Sequence, residues 1–196
     1  MIKVGVTGSI GSGKSVVCKI FECLGVPVFR ADDEGRRLLR EDMAIQKKVM
    51  DLFGDTVIIN GHLDRKKIAS IVFNDPEKLS SLNSIIHPAV RNSFANWVDS
   101  QSSKLIIEEV AILFESGANK GLDKVIVVTS DEKDRIKRAM KRDNISEDEV
   151  RQRMSRQWSQ EEKASKADFV ITNEHTDMLI PQVISLYKEL SLKNTQ

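Results

Sequence analysis

The chain has 196 residues, with 30 Lys and Arg against 29 Asp and Glu and 40% hydrophobic residues, giving a formal net charge of +1. That length suits one large domain, or one domain with insertions, around a substantial core. The balanced charge excludes a general pull toward nucleic acid or membrane surfaces, and no apolar run approaches the roughly 20 residues of a membrane span.

The first element is Ile2–Thr7, a β-branched run that reads as a buried strand. It begins almost at Met1, leaving no room for a leader, so a cytoplasmic protein is expected. Next comes Gly8-Ser9-Ile10-Gly11-Ser12-Gly13-Lys14-Ser15, which meets Gly-x-x-x-x-Gly-Lys-[Ser/Thr] at every fixed position. Val17, Ile20, Phe21 and Leu24 then follow helical spacing. Strand, glycine loop and helix are what phosphate binding needs. Successive backbone N–H groups curl around phosphate oxygens, and the helix N-terminus adds partial positive charge. Lys14 reaches the β- and γ-phosphates, and the Ser15 hydroxyl suits Mg²⁺. The loop implies binding of a nucleoside triphosphate. Cys18 and Cys23 share that helix, match no metal or redox spacing, and read as buried structural thiols of a reducing compartment. The histidines (His62, His87, His175) are isolated and suggest no metal cluster.

Further strands are expected at 26–29, 105–108, 125–128 and 169–172, mostly continuous apolar runs of the kind found where both sheet faces are covered. Strands separated by helices imply a three-layer α/β fold with a five-stranded parallel sheet. About 75 residues lie between strands two and three, far more than one crossover needs. Helices should begin after Asp64 and after Asp75-Pro76, so residues 33–103 read as a helical substrate-binding insertion in a single 1–196 domain. Asp51-Leu52-Phe53-Gly54 reads as a helix end closed by Gly54. A second helical excursion, 131–166, reads as a lid; Ser146–Glu149 is a capping box, and residues 133–156 hold nine Lys/Arg against five Asp/Glu. A last helix covers 176–192, with fraying over 193–196.

Among phosphate-loop proteins, a GTPase reading lacks its guanine signature, since Asn119-Lys120-Gly121-Leu122 has no Asp at the fourth position. Leu105–Glu109 has the apolar-then-acidic form of a motor ATPase strand, but the chain is short and its two helical insertions look like an acceptor site and a lid. A small-molecule kinase needs a carboxylate for the acceptor hydroxyl, and Asp32 sits just past strand two, although it also suits the N-cap of the next helix. It needs cations for the transferring phosphoryl group; Arg138 and Arg142 share a helix face, among six arginines of the lid. It also needs closure against water.

These residues resemble the dephospho-CoA kinase family from Val4 to about Leu179. The likeness is carried by Gly5–Ser15, by Leu24–Val28 with Ala31-Asp32, and by Leu82-Asn83-Ser84-Ile85-Ile86-His87-Pro88. It continues through Ile112–Glu115, Arg138–Asp143, Arg153–Gln157, Lys163 and Ala167–Asn173. The resemblance implies a monomeric kinase that uses MgATP to phosphorylate the ribose 3′-hydroxyl of dephospho-CoA, with small molecules and no nucleic acid or membrane as partners. It implies ATP phosphates on Gly8, Gly11, Ser12, Gly13, Lys14, Ser15 and Val16, with Mg²⁺ at Ser15. Asp32 is the implied base, Lys14 and Arg138 the phosphoryl-stabilising cations, and Arg142 and Asn173 nucleotide contacts, Asn173 near adenine. Asn83, His87 and Arg91 would shape the acceptor site, although His87, before Pro88 at an expected helix start, also reads as a structural residue. Trp97 and Trp158 read as packing residues. The chain departs from the family pattern at Arg30, where Asp is usual, and at Ser9, Ala111 and Glu174-His175. A nucleoside monophosphate or other metabolite kinase, and a nucleotide-dependent binding protein, are the competing readings.

Overall fold

A computed structural model describes residues 1–59, 62–73, 75–174 and 176–192; His175 and the expected fraying of 193–196 lie outside the described residues. In chain order the elements are β1 (Ile2–Thr7), α1 (Lys14–Cys23), β2 (Val28–Arg30), α2 (Ala31–Glu41), α3 (Met43–Phe53), β3 (Ile58–Ile59), β4 (His62–Leu63), α4 (Arg65–Phe73), α5 (Pro76–Asp99), β5 (Leu105–Glu109), β6 (Lys124–Thr129), α6 (Glu132–Asp143), α7 (Glu147–Met154), α8 (Gln160–Ala164), β7 (Phe169–Thr172) and α9 (Leu179–Leu192). The chain divides into two compact units, Met1–Arg30 with Gln101–Gln196, and Ala31–Ser100.

The first unit carries a five-stranded sheet in the order β2-β5-β1-β6-β7, every pairing parallel. β1 is central, which puts the glycine loop that follows it over the middle of the sheet's carboxyl edge. Val4 and Val6 point to one face, where they meet Leu105, Ile107, Ile126, Val128 and Ile171 from neighbouring strands. Val17, Cys18 and Phe21 of α1, with Val183 and Leu190 of α9, close over that face. Gly5 points the other way, and a Cβ there would press on Leu122 and Leu113. Alternation along β1 therefore sorts core from core, and polar residues collect at strand ends. Among the described residues no helix is long and apolar enough to cross a membrane.

The second unit is a helical cluster with its own core of Ile45, Val49, Val57, Ile68, Val72 and Leu82. Asp64 Oδ1 accepts from Lys66 N and Lys67 N, and Asp75 Oδ1 from Lys78 N, so both helix starts are capped as the sequence implies. Gly54, at φ 72°, closes α3 and donates its N–H to Met50 O.

Several boundaries differ from expectation. β2 starts at Val28, and α9 starts at Leu179 because the strand-to-helix connection extends further. The short β3–β4 pair is unanticipated, although Asn60-Gly61 between its two strands is a hairpin dipeptide in sequence. His87-Pro88 does not open a helix. It lies inside the 24-residue α5, where packing on the cluster's core outweighs the hydrogen bond that proline removes. Cys18 is buried, but Cys23 is exposed, because five residues of helix turn it to the opposite side.

Glu108 is 4% exposed on β5, between Phe29 and Gly5 in the sheet register, and burial raises its carboxyl from 4.5 to about 7. Between those two values the folded chain holds the extra proton, so stability falls as pH rises through the window and the loss is complete above it. Glu108→Gln is expected to stabilise the protein by about 2–4 kcal/mol at pH 8 and by much less at pH 5, compared by urea denaturation.

Candidate active site

Gly11 and Gly13, at φ 76° and 101°, turn the loop between β1 and α1 through a conformation that side chains resist. They also stand where side chains cannot: a Cβ on Gly11 would collide with the Arg135 carbonyl, and one on Gly13 with the Asn173 amide. Gly13 caps α1 without a side chain, and no acidic residue occupies that helix's first turn. The first N–H groups of α1, beginning at Lys14, are thus left for an anion. Ser12 is fully buried, and its Oγ has no hydrogen-bond partner among the described residues.

A loop that turns N–H groups inward turns carbonyls outward, and donors from other elements meet them. Arg138 Nη1, on α6, donates to Gly11 O at 3.0 Å and to Ser12 O at 3.4 Å. Its Nη2 donates to Ser130 Oγ at 2.6 Å and to Asn173 O at 3.4 Å. Asn173, just past β7, donates Nδ2 to Ser12 O at 2.8 Å, and Ser130 Oγ donates to Asn173 O at 2.7 Å. Arg135, buried beside them, donates Nε to Ser130 O, and burial lowers its pKa. Arg142 is elsewhere: its guanidinium forks onto Asp143 at 2.8 and 2.9 Å on an exposed face, and Arg153 joins the same carboxylate. Of the two arginines expected to approach one phosphate chain, the structure brings Arg138 to the loop.

Ser15 Oγ donates to Glu109 Oε1 at 2.6 Å. The other oxygen, Oε2, is buried with no hydrogen-bond partner among the described residues, and Arg30 Nε stands 3.5 Å from it. The buried Cys18 thiol lies close by; desolvation above all, and then the Glu109 charge, push its pKa up. A hydroxyl and an unsatisfied carboxylate oxygen, both hard donors at the end of a glycine loop, fit a small divalent cation. Glu109 was not among the site residues expected, although an apolar strand ending in acid was its visible signal.

Residues 157–163 strap this loop to its surroundings. Gln157 Oε1 accepts from Ile10 N at 3.0 Å, and Gln160 Oε1 accepts from Ser130 N at 2.8 Å. Trp158 N donates to Glu115 Oε1 at 2.8 Å, while its ring stacks on Phe114 with centroids 5.9 Å apart. Lys163, fully buried on α8, donates Nζ to Ala111 O at 2.9 Å and pairs with Glu115 Oε1 at 3.0 Å. The Ala111 carbonyl also accepts from Thr7, the last residue of β1. No local pattern marks these residues as partners; only the fold assembles them. Beside the strap's anchor at Ser130, a cavity of about 410 Å³ is lined by Asp131, Lys133, Asp134, Lys137, Glu174 and Thr176.

In the second unit, Asp32 is exposed in the first turn of α2, two residues after β2 ends. Asn83, His87 and Arg91 lie four residues apart on α5 and so share one face, the first two half-buried. Burial, and then the Arg91 charge, lower the His87 pKa. Gly35 of α2 faces α5 beside Ile86 and Val90.

Comparison with known proteins gives one answer. The family model for dephospho-CoA kinase matches residues 2–178. A dephospho-CoA kinase of Bacteroides fragilis is 40% identical over 186 residues, covering 94% of this chain and 91% of its own. One from Chlorobaculum tepidum is 43% identical over 196 residues, covering 95% and 94%. The solved structure of a dephospho-CoA kinase from Campylobacter jejuni superimposes with a TM-score of 0.72 at 30% identity, over 98% of both chains.

The buried Lys163–Glu115 pair yields a stability test. Lys163→Met strands a buried carboxylate and is expected to cost about 3–5 kcal/mol in guanidinium denaturation. Adding Glu115→Gln should recover most of that loss.

Proposed function

The chain belongs to the dephospho-CoA kinase family, and from that premise we propose that Lys14, Asp32 and Arg138 carry its reaction. The activity is ATP-dependent phosphorylation of the ribose 3′-hydroxyl of dephospho-CoA, giving coenzyme A and ADP at the end of coenzyme A biosynthesis. The observation that carries the residue assignment is the glycine loop held open by Arg138 and Asn173, with Lys14 at the helix start behind it.

On this reading the first-turn N–H groups of α1, together with Gly8, Gly11, Ser12, Gly13, Lys14, Ser15 and Val16, hold the ATP phosphates. Lys14 follows the charge that moves to the β,γ-bridge as the γ-phosphoryl departs. Arg138 keeps the loop in shape from outside and supplies positive charge beside the transferring group. The nucleotide base lies toward Asn173, with the cavity lined by Lys133, Lys137, Glu174 and Thr176 as its surround. Arg142, forked onto Asp143, is left out of the nucleotide contacts. Ser15 and Glu109 would hold Mg²⁺. That ion supplies charge neutralisation at the phosphate oxygens.

Asp32 accepts the proton of the 3′-hydroxyl as the oxygen attacks. Its position at the start of α2, directly beyond the carboxyl end of β2, supports that role, because ligands of open α/β sheets gather at those ends. The helical unit Ala31–Ser100 receives the acceptor, with Asn83, His87 and Arg91 along one face of α5. Residues 131–166 act as the lid. Within that span Arg135, Arg138 and the 157–163 strap are tied to the loop, so closure belongs to the portion around α7. The proposed enzyme is a monomer acting on small molecules. The free thiols Cys18 and Cys23 suit the cytoplasm.

ADP release from MgATP is expected with dephospho-CoA, and not with AMP, CMP, shikimate or water alone. Lys14→Ala and Asp32→Asn should each lower kcat by about a hundredfold to ten-thousandfold while circular dichroism stays unchanged. Near-normal turnover by Asp32→Asn would remove the base assignment.

A further inference from the structure

Arg30 is the last residue of β2 and pairs in register with Glu109 of β5, the carboxylate that Ser15 touches. Its guanidinium is shared. Nη1 donates to Glu22 Oε1 at 2.8 Å, while Nε stands 3.5 Å from Glu109 Oε2, an ion pair too long for a good hydrogen bond. Glu22 is itself held by Lys19 at 3.3 Å. Glu109 Oε2 therefore faces a cation that is near, immobilised by a second carboxylate, and not fully engaged.

We propose that Arg30 is a positioning residue that sets how tightly the Ser15–Glu109 pair holds a divalent cation, with Glu22 restraining it from closing on Glu109. The inference rests on the Mg²⁺ reading of that pair given above. A divalent ion at Ser15 and the guanidinium of Arg30 draw on the same carboxylate charge. Each weakens the other across a few ångströms, where even with water-like screening a unit charge changes a divalent ion's affinity by about tenfold. Arg30 thereby holds the affinity below what Ser15 and Glu109 alone would give, which favours arrival of the cation with the nucleotide and its release with ADP. Glu22 moderates this: freed from it, the guanidinium can turn fully onto Glu109 and compete harder.

The test is an electron paramagnetic resonance titration of Mn²⁺ into the enzyme with saturating ADP, reading the free Mn²⁺ signal, with thermal unfolding of each variant as a folding control. Arg30→Gln is expected to tighten Mn²⁺ binding by about tenfold or more, and Arg30→Lys to stay close to the native value. Glu22→Gln should weaken binding by a few-fold, and carries the test even if Arg30→Gln fails to fold. Glu109→Gln separates the two readings. If it weakens Mn²⁺ binding while Arg30→Gln leaves it unchanged or weaker, the Ser15–Glu109 site stands and the role of Arg30 is overturned. If Glu109→Gln leaves Mn²⁺ binding untouched, the metal reading itself fails and the Arg30 proposal falls with it.

Discussion

A backbone loop that points its N–H groups at a phosphate must point carbonyls away from it, and those carbonyls need donors. Much of the first unit is arranged to meet that requirement. Gly11 O and Ser12 O face outward, and Arg138 and Asn173 reach them from two different elements. Those two residues are then held to each other through Ser130. The loop, the start of α6 and the end of β7 thus form one hydrogen-bonded body. The glycines make this possible twice over: by adopting positive φ, and by leaving room for Arg135 and Asn173 where a methyl group would stand.

The same unit concentrates charge where charge is expensive. Glu108, Glu109, Arg135 and Lys163 are all 9% exposed or less, and they lie at or just beyond the carboxyl ends of the strands or on the helices that follow. Such groups lower stability relative to apolar residues of the same volume. The core beneath compensates, with Val4, Val6, Val17, Phe21, Ile107 and Ile126 fully buried. Charge that would be wasteful in a purely structural domain is what the proposed phosphate site requires, because it acts without reorganisation once water is excluded. The strap 157–163 serves the same end. It fixes Ile10, Ser130 and the Ala111–Glu115 segment with three side chains and one backbone N–H.

The helical unit contributes differently. Its core is smaller and its helices are closed by local devices such as Asp64, Asp75 and Gly54. The face bearing Asn83, His87 and Arg91 mixes an amide, an imidazole and a guanidinium, groups that recognise polar ligands by hydrogen bonds and charge.

What the sequence determined by itself was local in origin. The phosphate loop is eight contiguous residues whose spacing is dictated by backbone geometry. The apolar runs of β5 and β6 are continuous because both faces of the sheet are covered there, whereas β7, at the sheet's edge, leaves Val170 exposed. The caps Asp64, Asp75 and Ser146 act within three residues of themselves. Each could be read from a short window because its physics operates inside that window. Tertiary structure decided what lies together across the chain. It put Glu109 against Ser15, 94 residues apart, and Lys163 against Ala111, 52 apart. It assigned Arg138 to the loop and Arg142 to Asp143, although both share a helix and a residue type. It carried α5 through Pro88, where a lost backbone hydrogen bond was outweighed by burial along the rest of the helix. Side-chain partners of this kind follow from strand order and helix placement, and no local pattern encodes them.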